Sequence, residues 1–199
     1  MSHHRDEIKD TLISLGTYSQ SLTSKGAGLF EVADFDAQHS DFLCIVASVA
    51  SDRATSESQV RQHLGQETVD WIFREEVFGS LVIAHQKLNP LSDHRAPVVY
   101  AGNAVESFLT QVGNHYGVSL STATGINAKV DMLQSHIRTK HRNILKYLGH
   151  VRNAADHGID AEIGSSWAVS GETSCIYVHA AIAAIRSVVL ALLQNRYEL

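Results

Sequence analysis

Three features of this sequence predict an all-α fold. Apolar residues recur at spacings of three and four along most of the chain, alternation of period two is nowhere sustained, and only two of the 199 residues are proline. Glycine or proline stands where most of the periodic stretches end. Apolar residues make up 44% of the chain, and no Ser/Gly/Pro tract is long enough to suggest extensive disorder. One compact unit is expected at this length.

The elements follow in order. A short helix is predicted over Asp6–Leu15, then a polar loop rich in Ser, Thr and Gly, then an irregular stretch over Glu31–Asp41. Ser40 or Asp41 is a helix cap for a segment carrying Phe42, Ile45, Val46 and Val49. A short helix over Ser56–Leu64 is stopped by Gly65. A longer one over Glu67–Lys87, with Val69, Ile72, Phe73, Val77, Leu81 and Ile83, is stopped by Asn89-Pro90. After a break over Asp93–Pro97, a helix over Val98–Tyr116 presents Ala101, Val105, Phe108, Leu109 and Val112 as its apolar face, and Gly117 ends it. A shorter helix covers Asn127–Gln134, a basic helix covers Ser135–Asp156, and a final apolar helix covers Thr173–Arg196. Residues 1–97 are expected to form a helical region packed on an up-and-down bundle of residues 98–199.

Composition narrows the function. The start, Met1-Ser2-His3-His4-Arg5-Asp6, lacks the apolar run of a secretory signal, and Cys44 and Cys175 are two thiols without metal-type spacing. Both point to a reducing, cytoplasmic setting. The run Ile176–Leu193 approaches membrane-span length, but His179 and Arg186 lie inside it, so a buried bundle helix is the better reading. No phosphate-cradling glycine loop, dinucleotide-binding turn or zinc pattern is present, and no metal or cofactor is called for. Ser92-Asp93-His94 holds the residue types of a hydrolase triad without a nucleophile elbow. The stretch Ser56–Val69 loosely suggests a helix-turn-helix, but Glu67, Asp70, Glu75 and Glu76 would repel DNA.

The formal net charge is -5, which speaks against general binding of long nucleic acid. The charge is unevenly placed. Between Asp131 and Asp156 no acidic residue occurs, whereas Arg138, Lys140, Arg142, Lys146 and Arg152 all fall there. This basic helix leads into Arg152-Asn153-Ala154-Ala155-Asp156-His157-Gly158, which offers a phosphate-binding guanidinium and a proton-carrying imidazole close together. On a regular helix the apolar stripe is Ile137, Ile144, Leu148, Val151 and Ala155. Arg152 stands at its boundary and His157 lies about 140° from Arg152. The two groups of one chain therefore do not face one spot, and either unwinding at Gly158 or a second copy is needed. The plainer alternative is an Arg152–Asp156 ion pair four residues apart, with His157 complementing a helix C-terminus.

Arg152, Asn153 and His157 match the Arg-polar-x(n)-His motif of the HEPN superfamily, and the stretch from about Tyr100 to Leu193, with Trp167 in the loop before the last helix, resembles the C-terminal domain of abortive infection proteins. The resemblance implies a HEPN-like helical bundle and a homodimer that acts as a metal-independent endoribonuclease of antiviral defence or toxin type. In that reading Arg152 binds phosphate, His157 transfers protons and Asn153 supports them. The products are a 2′,3′-cyclic phosphate or 3′-phosphate and a 5′-hydroxyl. Arg138, Arg142, Lys146 and His150 are candidate RNA contacts, and a regulator or antitoxin protein is a candidate partner. The alternative is a non-catalytic HEPN-like module that dimerises or binds a ligand or partner.

Overall fold

The computed structural model describes residues 22–26, 29–32, 52–88, 93–160 and 164–194. The helices expected over Asp6–Leu15 and after Asp41, most of the irregular stretch over Glu31–Asp41, and Cys44, Ser92 and the end of the last helix lie outside these residues. The chain packs as two units, Met1–Ser48 and Val49–Leu199, rather than one. In the first unit, β1 (Leu22–Gly26) pairs antiparallel with β2 (Leu29–Val32), with Leu22 opposite Val32 and an irregularity between Ser24 and Gly26. The hairpin corrects the reading of a polar loop. Its strands are too short for alternation to stand out against the Ser, Thr and Gly around them.

The second unit is a helical bundle, as expected. Its helices are α1 (Arg53–Leu64), α2 (Gln66–Trp71), α3 (Ser80–Gln86), α4 (Arg95–His115), α5 (Gly125–Met132), α6 (Thr139–His157) and α7 (Gly171–Leu193). Asp52 caps α1: its Oδ1 accepts from the Thr55 amide at 2.9 Å and its Oδ2 from the Thr55 hydroxyl at 2.7 Å. Gly65, at φ 76°, separates α1 from α2. The single helix expected over Glu67–Lys87 is broken. After α2 the chain is extended at Ile72 and Phe73, then resumes as a π-helical turn over Arg74–Gly79 that runs into α3. The break is held from α4, where Gln111 accepts from the Phe73 amide at 2.8 Å and donates to the Trp71 carbonyl. A distant side chain replaces the local helical bonds there.

The boundary expected at residue 97 is not where the packing divides. α1, α3 and the π-helical turn share one core with α4 and α7. α7 is central, packing against α1, α2, α3, α4 and α6. Its length and apolar composition would suffice to cross a membrane. Here they are used to fill the middle of the bundle with Tyr177, Val178, Ile185, Val188 and Val189. Contacts of α6 with α4 and with α7 run antiparallel, since Arg152 meets Asn103 while Arg95 meets Ala155, and Tyr177 meets Leu148 while Ser187 meets His141. This up-and-down arrangement brings the start of α4, the end of α6 and the start of α7 to one end of the bundle.

Histidine is seldom fully buried, yet His85 and His141 are. A seam between α1, α3 and α7 holds Ser56, His63, His85 and His179. His85 Nδ1 lies 3.4 Å from Ser56 Oγ, and the His179 ring is edge-on to His63 and to His85, 5.9 Å from each. Nε2 of His179 is buried without a hydrogen-bond partner. Burial pushes the imidazoles of His85 and His141 down to about 4 and that of His179 to about 3.

Candidate functional site

α6 ends where its sequence says it should. Gly158 takes the left-handed conformation, φ 67°, and its amide donates to the Ala154 carbonyl at 2.8 Å. His157 is thereby the last helical residue. Beyond it, β3 (Ile159–Asp160) and β4 (Ser165–Ser166) form a small antiparallel hairpin, and the Trp167 amide donates to the Gly158 carbonyl at 3.0 Å.

The buried face of α6 differs from the expected stripe. Ile144 and Val151 are only half-buried, whereas His141, Leu145, Leu148, Gly149 and Ala155 are buried. At about 100° per residue these residues centre on the direction of Arg152. Arg152 therefore points inward against α4 and not along a boundary, with 20% of its side chain exposed. Its stem crosses Gly102, where a Cβ would stand 2.6 Å from Arg152 Cγ. A glycine inside a helix costs ~1 kcal/mol. Here it opens the channel that the arginine occupies. Replacing Gly102 by Ala is expected to displace Arg152 and lower stability by ~1–3 kcal/mol, read as a fall in melting temperature. An unchanged melt would mean that the stem has room to move aside.

The guanidinium of Arg152 is engaged on three sides. Nη1 is 3.6 Å from Glu106 Oε2, Nε is 3.4 Å from Asp156 Oδ2, and Nη2 donates to Asn103 Oδ1 at 3.2 Å. Glu106 is the hub of this network. It also meets Lys129 Nζ at 3.2 Å and accepts from the Gly125 amide at 3.1 Å, tying α4 to α5 and α6. The buried Tyr177 hydroxyl completes the wall by donating to the Leu148 carbonyl at 3.0 Å, and burial pushes that phenol well above its usual range.

The opposite face of α6 is exposed apart from Ala154, which is buried. Tyr147, His150, Asn153 and His157 lie there, and none of them is among the residues that hold Arg152. Within one chain the structure thus keeps Arg152 and His157 apart, about 140° around the helix. Asn153 is exposed on the same side as His157. The candidate RNA contacts are dispersed too. Lys146 is paired with Asp131 at 2.6 Å, and Arg142 Nη2 donates to Thr139 Oγ1 at 2.9 Å. Arg138 stands just before the first residue of α6, some 28 Å of helix from His157.

One cation at this end of the bundle escaped the sequence reading. Arg95 opens α4 and spans to α6, its Nε donating to the Ala155 carbonyl at 2.8 Å and its Nη2 to the Asp156 carbonyl at 3.0 Å. These carbonyls belong to the last turn, which has no helical donors of its own. Asp93 Oδ1 accepts from the Arg95 amide at 2.9 Å. The sequence carried no signal for it, because Arg95 falls in the break expected over Asp93–Pro97 and the structure starts the helix three residues earlier than Val98.

Among the described residues no group of three or more His, Cys, Asp or Glu could hold a metal ion. Compared with protein-family models, curated proteins and solved structures, the chain matches none. Fold and site together define a helical bundle whose last long turn of α6 exposes a histidine on one face and buries an ion-paired arginine on the other.

Proposed function

We propose that this chain is a metal-independent endoribonuclease of HEPN type, acting in the cytoplasm in antiviral defence or as a toxin. The observation that carries the reading is the exposure of His157 at the last residue of α6, with Asn153 and His150 on the same face. His157 accepts the proton of an RNA 2′-hydroxyl as that oxygen attacks phosphorus, and a second imidazole protonates the departing 5′-oxygen. One chain offers a single His157, so the chemistry calls for two copies whose α6 ends face each other.

A second reading is favoured by one observation. Glu106 and Asp156 both engage Arg152, and a phosphate must compete with them for it. A non-catalytic dimerisation or ligand-binding module needs no such exchange. The test is cleavage of a mixed RNA pool in chelator by wild type and by His157→Ala, with product ends mapped and the oligomer measured. Loss of 2′,3′-cyclic phosphate ends by a factor of about a hundred or more in the variant, with the oligomer intact, supports the enzyme. No cleavage by wild type, or equal cleavage by both, transfers the assignment to the module.

A further inference from the structure

The two arginines near the end of α6 are in opposite electrostatic states. Arg152 is largely buried, with carboxylates on Nη1 and Nε and an amide oxygen on Nη2. Its charge is spent inside the bundle. Arg95 is exposed, and the only partners of its guanidinium among the described residues are two backbone carbonyls. A guanidinium carries five N–H groups, so three remain after those two bonds. Holding Nε and Nη2 on successive carbonyls of α6 fixes the plane of the group, which lowers the entropy lost when a further anion binds. The carbonyl that receives Nη2 belongs to Asp156, the residue before His157. Arg95 is thus an exposed, oriented cation attached to the turn that carries the candidate proton-transfer group.

We propose that Arg95, and not Arg152, is the cation that holds a phosphate of an RNA strand bound beside His157. The assignment rests on the ribonuclease reading only for what His157 does to that strand. Arg152 becomes a positioning residue, which locks α6 to α4 through Glu106 and Asn103 and so sets where His157 stands.

The experiment measures binding of a fluorescein-labelled, mixed-sequence oligoribonucleotide to the full chain over a range of salt, alongside its cleavage in chelator. Arg95→Gln removes the charge but keeps a donor for the α6 carbonyls. Arg95→Lys keeps the charge without the two-pronged grip. Arg95→Gln is expected to bind about tenfold more weakly, with the salt dependence reduced by about one phosphate contact, and with an unchanged melting temperature. Arg95→Lys is expected to keep the wild-type salt dependence and to cleave more slowly through a lower kcat. Wild-type affinity and salt dependence in Arg95→Gln, or no RNA binding by the wild-type chain, overturns the proposal. If binding depends on Arg95 and no cleavage occurs, the phosphate site stands and the ribonuclease reading falls. If cleavage depends on His157 and Arg95→Gln changes neither binding nor rate, the ribonuclease stands and the Arg95 assignment falls.

Discussion

Acidification from pH 7.5 to pH 5 is expected to lower the stability of the bundle steeply, well before its carboxylates begin to protonate. His85, His141 and His179 are kept neutral by burial, with pKa values near 4, 4 and 3 in the folded chain against about 6.5 when unfolded. Well above pH 6.5 they are neutral in both states and add no pH dependence. Below it the unfolded chain takes up protons that the folded chain refuses, so stability falls with pH until the folded values are reached. Each histidine contributes on the order of 1 kcal/mol per pH unit. Three together amount to several kcal/mol over this range, a large part of the ~5–15 kcal/mol typical of a domain. His63 adds positive charge against His85 and His179, and the buried Nε2 of His179 has no hydrogen-bond partner. Denaturant midpoints measured at pH 7.5, 6 and 5 check this. A flat series would show that the imidazoles are hydrated or paired when protonated. Replacing His179 by Leu should flatten the dependence by about a third if the three sites are equivalent.

The second large effect is expected from Glu106→Leu. The substitution removes the carboxylate that meets Arg152 and Lys129 and accepts from the Gly125 amide, leaving two cations and one backbone donor without it. Breaking a largely buried pair from one side costs ~3–5 kcal/mol, because the remaining charge stays desolvated. Asp156 still faces Arg152, and Lys129 retains a 3.0 Å bond to Thr110 Oγ1, so the lower part of that range is expected. Glu106→Gln keeps an acceptor for the Gly125 amide and should lose less. Equal midpoints for wild type and Glu106→Leu would mean that water reaches Arg152 and that the network adds nothing to stability. The same variant bears on function, since it leaves Arg152 with one carboxylate instead of two. If Arg152 is a positioning residue, cleavage should fall with the loosening of α6; if it is the phosphate binder, cleavage should rise.

Local sequence was enough to place α4, α6 and α7. Spacing by three and four located α4, α6 and α7 to within a few residues, Gly65 and Gly158 marked two boundaries, and the composition of Ile176–Leu193 identified a helix surrounded on most sides. These are local or one-dimensional properties, carried by periodicity, backbone freedom and apolar content. The motif at Arg152–His157 was legible in the same way, as was the angle that keeps its two ends apart.

Where the charges go depends on which helices pack against each other. The acid-free run from Arg138 to Arg152 reads as an uncompensated basic helix, yet Lys146 receives Asp131 from α5 and Arg152 receives Glu106 from α4. Charge density along the chain says nothing about which carboxylates fold against it. The break after Trp71 has a similar origin, since Gln111 supplies from a neighbouring helix the hydrogen bonds that the local backbone gives up. Arg95 stands 57 positions before Arg152 in the sequence and reaches the same turn only because α4 and α6 run antiparallel. Which arginine keeps a charge for a ligand is set by such long-range pairing, because a guanidinium is neutralised by whatever folding places within a few ångströms of it.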